Sequence, residues 1–229
     1  CVPWSPEGRL WPCASLPPIT PYWEGRGSAA PQVELGLGEY WFTSYNRGSV
    51  IPPRGCTIVD DVTRPLLTQR ITMSYVARCQ APIEEYPSDG IEPGAGTTGN
   101  LLWGWYPPAA DGAWSGLAPA DVGMVLPPQM QGRGLTLEIE LARYVPAGET
   151  RTTVVSVNGA AVSTVVLTDR SVRTVRVDVP RSVAEAWQGD RLLVRFESPD
   201  PVVPAEVDDD GGDRRALGTR LVSLRVVGA

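Results

Sequence analysis

Three groups of residues have the types and spacing to do chemistry. The first is the run DDDGGDRR from Asp208 to Arg215. Asp208, Asp210 and Asp213 offer hard oxygen ligands around a glycine turn, which suits a structural calcium ion. The spacing is not that of an EF-hand and no closing glutamate follows, so an acidic surface loop is the competing reading. In the same run Asp213, Arg214 and Arg215 can form a charge-assisted knot that pins the final strand, or line a ligand-binding end of the fold. The second group is Trp103, Trp105, Tyr106 and Trp114 in LLWGWYPPAADGAWSG. Exposed aromatic faces stack on the apolar faces of sugars. Trp103 and Trp105, two apart, fall on one face of a strand and fit a buried core pair equally well. The third group is Glu138 and Glu140, which face the same way in LTLEIELA. A glycosidase needs two opposed carboxyl groups about 5–10 Å apart, but alternating glutamates on a one-sided strand are also its ordinary solvent face.

The missing residues narrow the chemistry further. The chain has no histidine and no lysine, so all of its basic residues are arginine. Imidazole-activated serine or cysteine nucleophiles, Schiff-base lysines and the phosphate-loop lysine are therefore excluded, and zinc loses its commonest ligand. GAGTTG within residues 94–99 matches a dinucleotide-binding glycine pattern in form only, because Pro93 precedes it and no helical pattern follows. A net charge of -6 removes the long-range attraction to phosphate on which nucleic-acid binding depends. The expectation is a protein without enzymatic activity of its own.

The elements that position these groups are strands. The 229 residues, 42% hydrophobic and 20% charged, suffice for a buried core. TQRITMSYVARC alternates with Ile71, Met73, Tyr75, Ala77 and Cys79 on one side, and VELGLGEYWFTSY supplies one or two further strands. LTLEIELA turns Leu135, Leu137, Ile139 and Leu141 inward. Asn158-Gly159 between two β-branched runs marks a hairpin. RTVRVDVP and DRLLVRFES alternate in the same way, and in LVSLRVV the spacing puts Val222, Leu224 and Val226 on one face with Leu221, Ser223 and Arg225 on the other. RSVAEAWQG alone reads as a helix, of at most two turns. Many amphipathic strands at close spacing predict an all-β protein, an antiparallel two-sheet sandwich with additional N-terminal strands.

Residues 1–31 read as an irregular Pro/Trp-rich arm, because dense proline and glycine oppose both helix and central strand. Trp4, Trp11 and Trp23 in this arm suit packing against its own domain or docking on a partner protein. Residues 32–94 form an N-terminal β segment, ending in a turn-rich stretch, and 95–229 the main sandwich. The four cysteines include no CxxC pair. Proximity favours the disulfides Cys1–Cys13 and Cys56–Cys79 among three possible connectivities. A numbering that begins on Cys1 fits a processed or truncated chain and an extracytoplasmic location, where disulfides persist. Alternatively, Cys1 is the lipid-modified first residue of a lipoprotein. No apolar run is long enough for a membrane-spanning helix, so membrane association would be through a lipid or a partner.

The order GWYPPAADGAWSG, VGMVLP, LTLEIELARYVPAG, VSVNG, VDVP, GDRLLVRFESPDPVVPAE and DRRALGTRLVSLRV resembles a known family. It is that of the jelly-roll, carbohydrate-binding-like sandwich appended to some bacterial membrane glycosyltransferases and other envelope proteins. The resemblance covers residues 99–229 and does not extend to residues 1–94. It implies a non-catalytic module whose partners are a glycan or other envelope proteins, with the Trp103, Trp105 and Trp114 region and the turn at Asp213 to Arg215 as recurrent features. The alternative expectation is a structural subunit of a membrane or envelope complex, docked through its N-terminal arm.

Overall fold

The computed structural model describes residues 39–45, 56–66, 69–80, 83–116, 119–208 and 212–228. The arm with Cys1, Trp4, Trp11, Cys13 and Trp23 lies outside the described residues, as does Asp210. The chain forms two compact units, residues 1–82 and 83–229.

In the first unit, β1 (Glu39–Tyr45), β2 (Cys56–Leu66) and β3 (Gln69–Gln80) form an antiparallel sheet in the order β1-β3-β2. β-branched and aromatic residues fill these segments, as a pleated surface favours. The register sets Cys56 directly opposite Cys79.

The second unit is a sandwich of two four-stranded antiparallel sheets. Its strands are β4 (Ala113–Trp114), β5 (Ala120–Val125), β6 (Leu135–Arg143), β7 (Arg151–Val157), β8 (Ala160–Leu167), β9 (Arg173–Val179), β10 (Arg191–Glu197) and β11 (Thr219–Gly228). One sheet runs β5-β10-β7-β8 and the other β4-β11-β6-β9. Consecutive strands thus cross between sheets, with β7 and β8 joined as a hairpin, which is jelly-roll order. Asn158 and Gly159 turn that hairpin at φ 46° and 85°, the left-handed pair that a two-residue turn requires. The few helical pieces are short: α1 (Arg181–Ala184), inside the segment expected to be helical, α2 (Pro204–Val207), and two 3-10 turns. Among the described residues no helix is long and apolar enough to cross a membrane.

Period-two alternation builds the core. Leu135, Leu137, Ile139 and Leu141 of β6 face Val155 and Val157 of β7 and Leu192, Val194 and Phe196 of β10, all buried. At one end of the interface the filling is polar. The Thr219 hydroxyl lies 2.7 Å from that of Thr153 and 2.9 Å from that of Ser198, and the Thr219 N–H donates to Ser115 Oγ at 2.7 Å. These groups satisfy one another, which removes most of the cost of burying them.

Two expectations are revised. The main unit begins at Ile83 instead of 95, because the segment 83–94 is bonded to its sheets: Tyr86 and Ile91 donate backbone hydrogen bonds to Val125 and Leu224, both 2.9 Å, and Ile91 is fully buried in the core. In β11 the alternation changes phase. Leu221 pairs with Leu141 and Ser223 with Glu140, leaving Val222 as the extra residue of a bulge. Leu221 is therefore in the core with Leu224 and Val226, and Val222 is not on their face.

Candidate functional site

The phase change in β11 shapes the outer face of its sheet. Val222 and Ser223, adjacent in sequence, both line a cleft of about 250 Å³ with Glu92, Gly94, Asp111, Gly112 and Glu140. Residues next to each other in a regular strand point to opposite faces, so only the bulge lets both reach one cavity. Glu140 projects from β6, while Glu92 precedes a 3-10 turn (Pro93–Ala95) and Asp111 lies in the turn before β4. Gly94 and Gly112 are needed for close packing: a Cβ would come within 2.5 Å of the Ala110 carbonyl oxygen and 2.3 Å of the Leu221 carbonyl oxygen, respectively.

Each carboxylate of the cleft has a partner. Ser223 Oγ donates to Glu140 at 2.9 Å, Arg225 donates to Glu92 at 2.7 Å, and Arg220 pairs with Asp111. The Arg220 guanidinium lies over the ring of Trp114 at 5.3 Å, so the ion pair connects the cleft to the half-buried tryptophan of β4. Glu138, two residues from Glu140, accepts from Arg176 of β9 at 3.0 Å and does not line the cleft.

The aromatic cluster divides. Trp103 and Trp105 are buried, 5% and 4% exposed, so they offer no stacking face to a sugar. They do not share a strand either: the segment is irregular, turning at Gly104 (φ 83°). Trp105 packs edge-on against Phe196 at 5.7 Å and donates its indole N–H to the Asp121 carbonyl at 2.8 Å, as a core tryptophan does. Tyr106 and Trp114 are half-buried and adjacent, since the Tyr106 N–H donates to the Trp114 carbonyl at 2.8 Å.

The acidic run forms a brace. Asp213 accepts from the Arg215 backbone N–H at 2.9 Å and from its guanidinium at 2.6–3.1 Å, which holds the Asp213 carboxyl below the usual carboxylate range. Arg215 lies over Tyr106 at 4.9 Å, and the Tyr106 hydroxyl donates to the Ala216 carbonyl at 3.2 Å. Burial pushes the Tyr106 phenol up, with Arg215 opposing. The segment before β11 is in this way fastened to the aromatic region. Arg214 is exposed. Asp208 is engaged elsewhere: Tyr144 and Arg170 both donate to it, and these hydrogen bonds hold its carboxyl low. Asp208 and Asp213 each face a guanidinium, the reverse of the electrostatics that a calcium ligand set needs. Among the described residues no three acids, cysteines or histidines gather to hold a metal.

Sequence reasoning missed the cleft acids Glu92 and Asp111 and two buried charges. Asp121, fully buried, accepts from Arg195 Nε and Nη2, both at 2.8 Å. Arg143 is also fully buried. Its Nη1 donates to Asp200 Oδ1 at 3.0 Å and its Nη2 to the Asp200 carbonyl at 2.8 Å, while burial draws its pKa down against the pull of Asp200. Asp121 lies among the apolar residues of GLAPADVGMVL, where a lone acid in an otherwise buried strand was the available signal.

No family model matches the chain, and no curated protein does. Among solved structures it is similar to a family 35 carbohydrate binding module from an environmental isolate, with 15% identity over 48% of this chain and 66% of that one, and a TM-score of 0.32. It is also similar to the CBM35 of Paenibacillus barcinonensis, with 13% identity over 82% of this chain and 99% of that one, TM-score 0.30. A third is the cycloalternan-forming enzyme of Listeria monocytogenes in complex with a pentasaccharide substrate, with 11% identity over 85% of this chain but 20% of that one, TM-score 0.33. The chain thus spans about two thirds of the first of these proteins and a fifth of the third.

Proposed function

We propose that residues 83–229 form a non-catalytic, carbohydrate-binding-like module of an extracytoplasmic protein, with the cleft beside Trp114 as its glycan site. The cleft itself carries the proposal. It brings together carboxylate oxygens and the Ser223 hydroxyl, which can hydrogen-bond sugar hydroxyls, and its Asp111 is linked through Arg220 to the half-buried ring of Trp114. A binding role fits these acids better than hydrolysis, because Glu92 and Asp111 are tied to arginines and Glu140 to Ser223. A glycosidase would need a free acid and a free nucleophile flanking the scissile bond. The opposition of Cys56 and Cys79 across β2 and β3 supports an oxidising compartment, where such a pair persists as a disulfide.

Affinity electrophoresis through gels containing soluble neutral polysaccharides tests the site. Retardation by at least one polysaccharide is expected, lost in Glu140→Ala with the melting temperature unchanged. Mobility that no glycan alters, or retardation equal in the variant, rejects the cleft as the site. Incubation of the retained glycan with the protein should release no reducing ends.

A further inference from the structure

The sandwich has four edges, and three of them are protected. β4 is only two residues long. β5 is flanked by bridges from Glu85 to Val125 and from Leu101 to Val122. β9 carries Arg173, Arg176 and Asp178, the kind of charge that keeps an edge from pairing. Among the described residues the fourth edge, β8, is bonded to β7 alone. Its eight residues, AAVSTVVL, include no charge, no proline and no glycine. The face that β7 and β8 turn outward is equally neutral. Register aligns Thr152 with Val166 and Val154 with Thr164, and Val166 is 61% exposed, the most exposed large apolar side chain among the described residues.

A long, neutral, β-branched edge offers a row of backbone donors and acceptors with nothing to repel an incoming strand. A charged partner strand would find no counter-charge there. A second copy of this chain brings an equally neutral strand, and at this edge it avoids the repulsion that a net charge of -6 produces elsewhere. We propose that β8 pairs antiparallel with the β8 of a second copy about a two-fold axis, joining the two four-stranded sheets into one of eight strands. A two-fold axis passing through a residue position keeps outward residues outward, so Thr164 and Val166 of both copies lie on one continuous surface.

Sedimentation equilibrium of the full chain across the micromolar range should show a monomer-dimer equilibrium. Lysines at Thr164 and Val166, both exposed, place like charges across the axis. The T164K/V166K variant should dissociate at a concentration higher by roughly tenfold or more, with its melting temperature retained. Hydrogen exchange on the unmodified protein gives a reading free of any folding defect: the β8 amides should gain protection as concentration rises. A chain that stays monomeric, a dimer that the two lysines leave intact, or β8 protection independent of concentration each overturns the proposal.

Discussion

The pair formed by Asp121 and Arg195 is unequal, and that inequality predicts an asymmetric response to mutation. The Asp121 side chain is 0% exposed, whereas that of Arg195 is 44% exposed. Arg195→Met keeps the aliphatic stem and removes the charge, leaving an enclosed carboxylate without its counter-charge. Breaking a buried pair this way typically costs 3–5 kcal/mol, and because water reaches the arginine side of this one, the lower end, about 3 kcal/mol, is expected. Asp121→Ala instead strands a guanidinium that can turn to solvent, at about 1 kcal/mol. The double variant should then be more stable than Arg195→Met alone, since removing the carboxylate removes the group that was stranded. Urea unfolding followed by tryptophan fluorescence measures all four proteins, with a constant denaturant slope as the check that one transition is compared. If Asp121→Ala is the costlier single change, or the double variant is the least stable of the four, burial is not what governs this pair.

Two other measurements follow from the described geometry. Directly opposed residues of antiparallel strands have Cα atoms about 4.5–5.5 Å apart, within disulfide reach, so non-reducing peptide mapping should recover Cys56 linked to Cys79, and free thiols at both positions would refute the link. The second concerns pH. With neither histidine nor lysine to titrate, the protein in its disulfide-linked form should show a melting temperature that is flat between about pH 6 and pH 9. The carboxyls of Asp208 and Asp213 are held low in the folded state, so their contribution is complete above the ordinary carboxylate range and is lost on acidification. Tyr106, raised by burial, and Tyr144, raised by its hydrogen bond to Asp208, contribute fully below the ordinary phenol value of 10.0 and lose that contribution as pH rises from there through their raised values. A melting transition that shifts between pH 6 and pH 9 would contradict this account.

The strands were legible because one face of each is buried, and burial imposes period two. β6 follows that rule from Leu135 to Leu141, and the Asn158-Gly159 turn announces its hairpin through the backbone angles it must adopt. The tie between the Asp213 turn and the aromatic region could also be read in advance, since acids and arginines crowded before a strand have few other partners. The site was less legible. Tryptophans at 103 and 105 look the same in sequence whether they stack on a ligand or on Phe196, and the difference lies in contacts made across the whole fold. Glu92 and Asp111 meet Glu140 only because distant turns converge on one sheet. The β11 bulge defeated simple alternation, because LVSLRVV can be read in either phase and only the pairing with β6 decides.

That bulge sets a single codon between two versions of this surface. Without Val222, β11 would alternate without interruption, and Thr219, Leu221, Leu224 and Val226 would all still point inward, so the core makes no demand for the extra residue. What depends on it is the wall of the cleft. A lineage that lost the codon would be expected to keep its sandwich and forfeit the concavity, and one that gained it would acquire a recess on an otherwise plain sheet in one step. Comparing natural sequences for the length of this strand, apart from any likeness in residue type, would therefore sort those that have the recess from those that share only the scaffold.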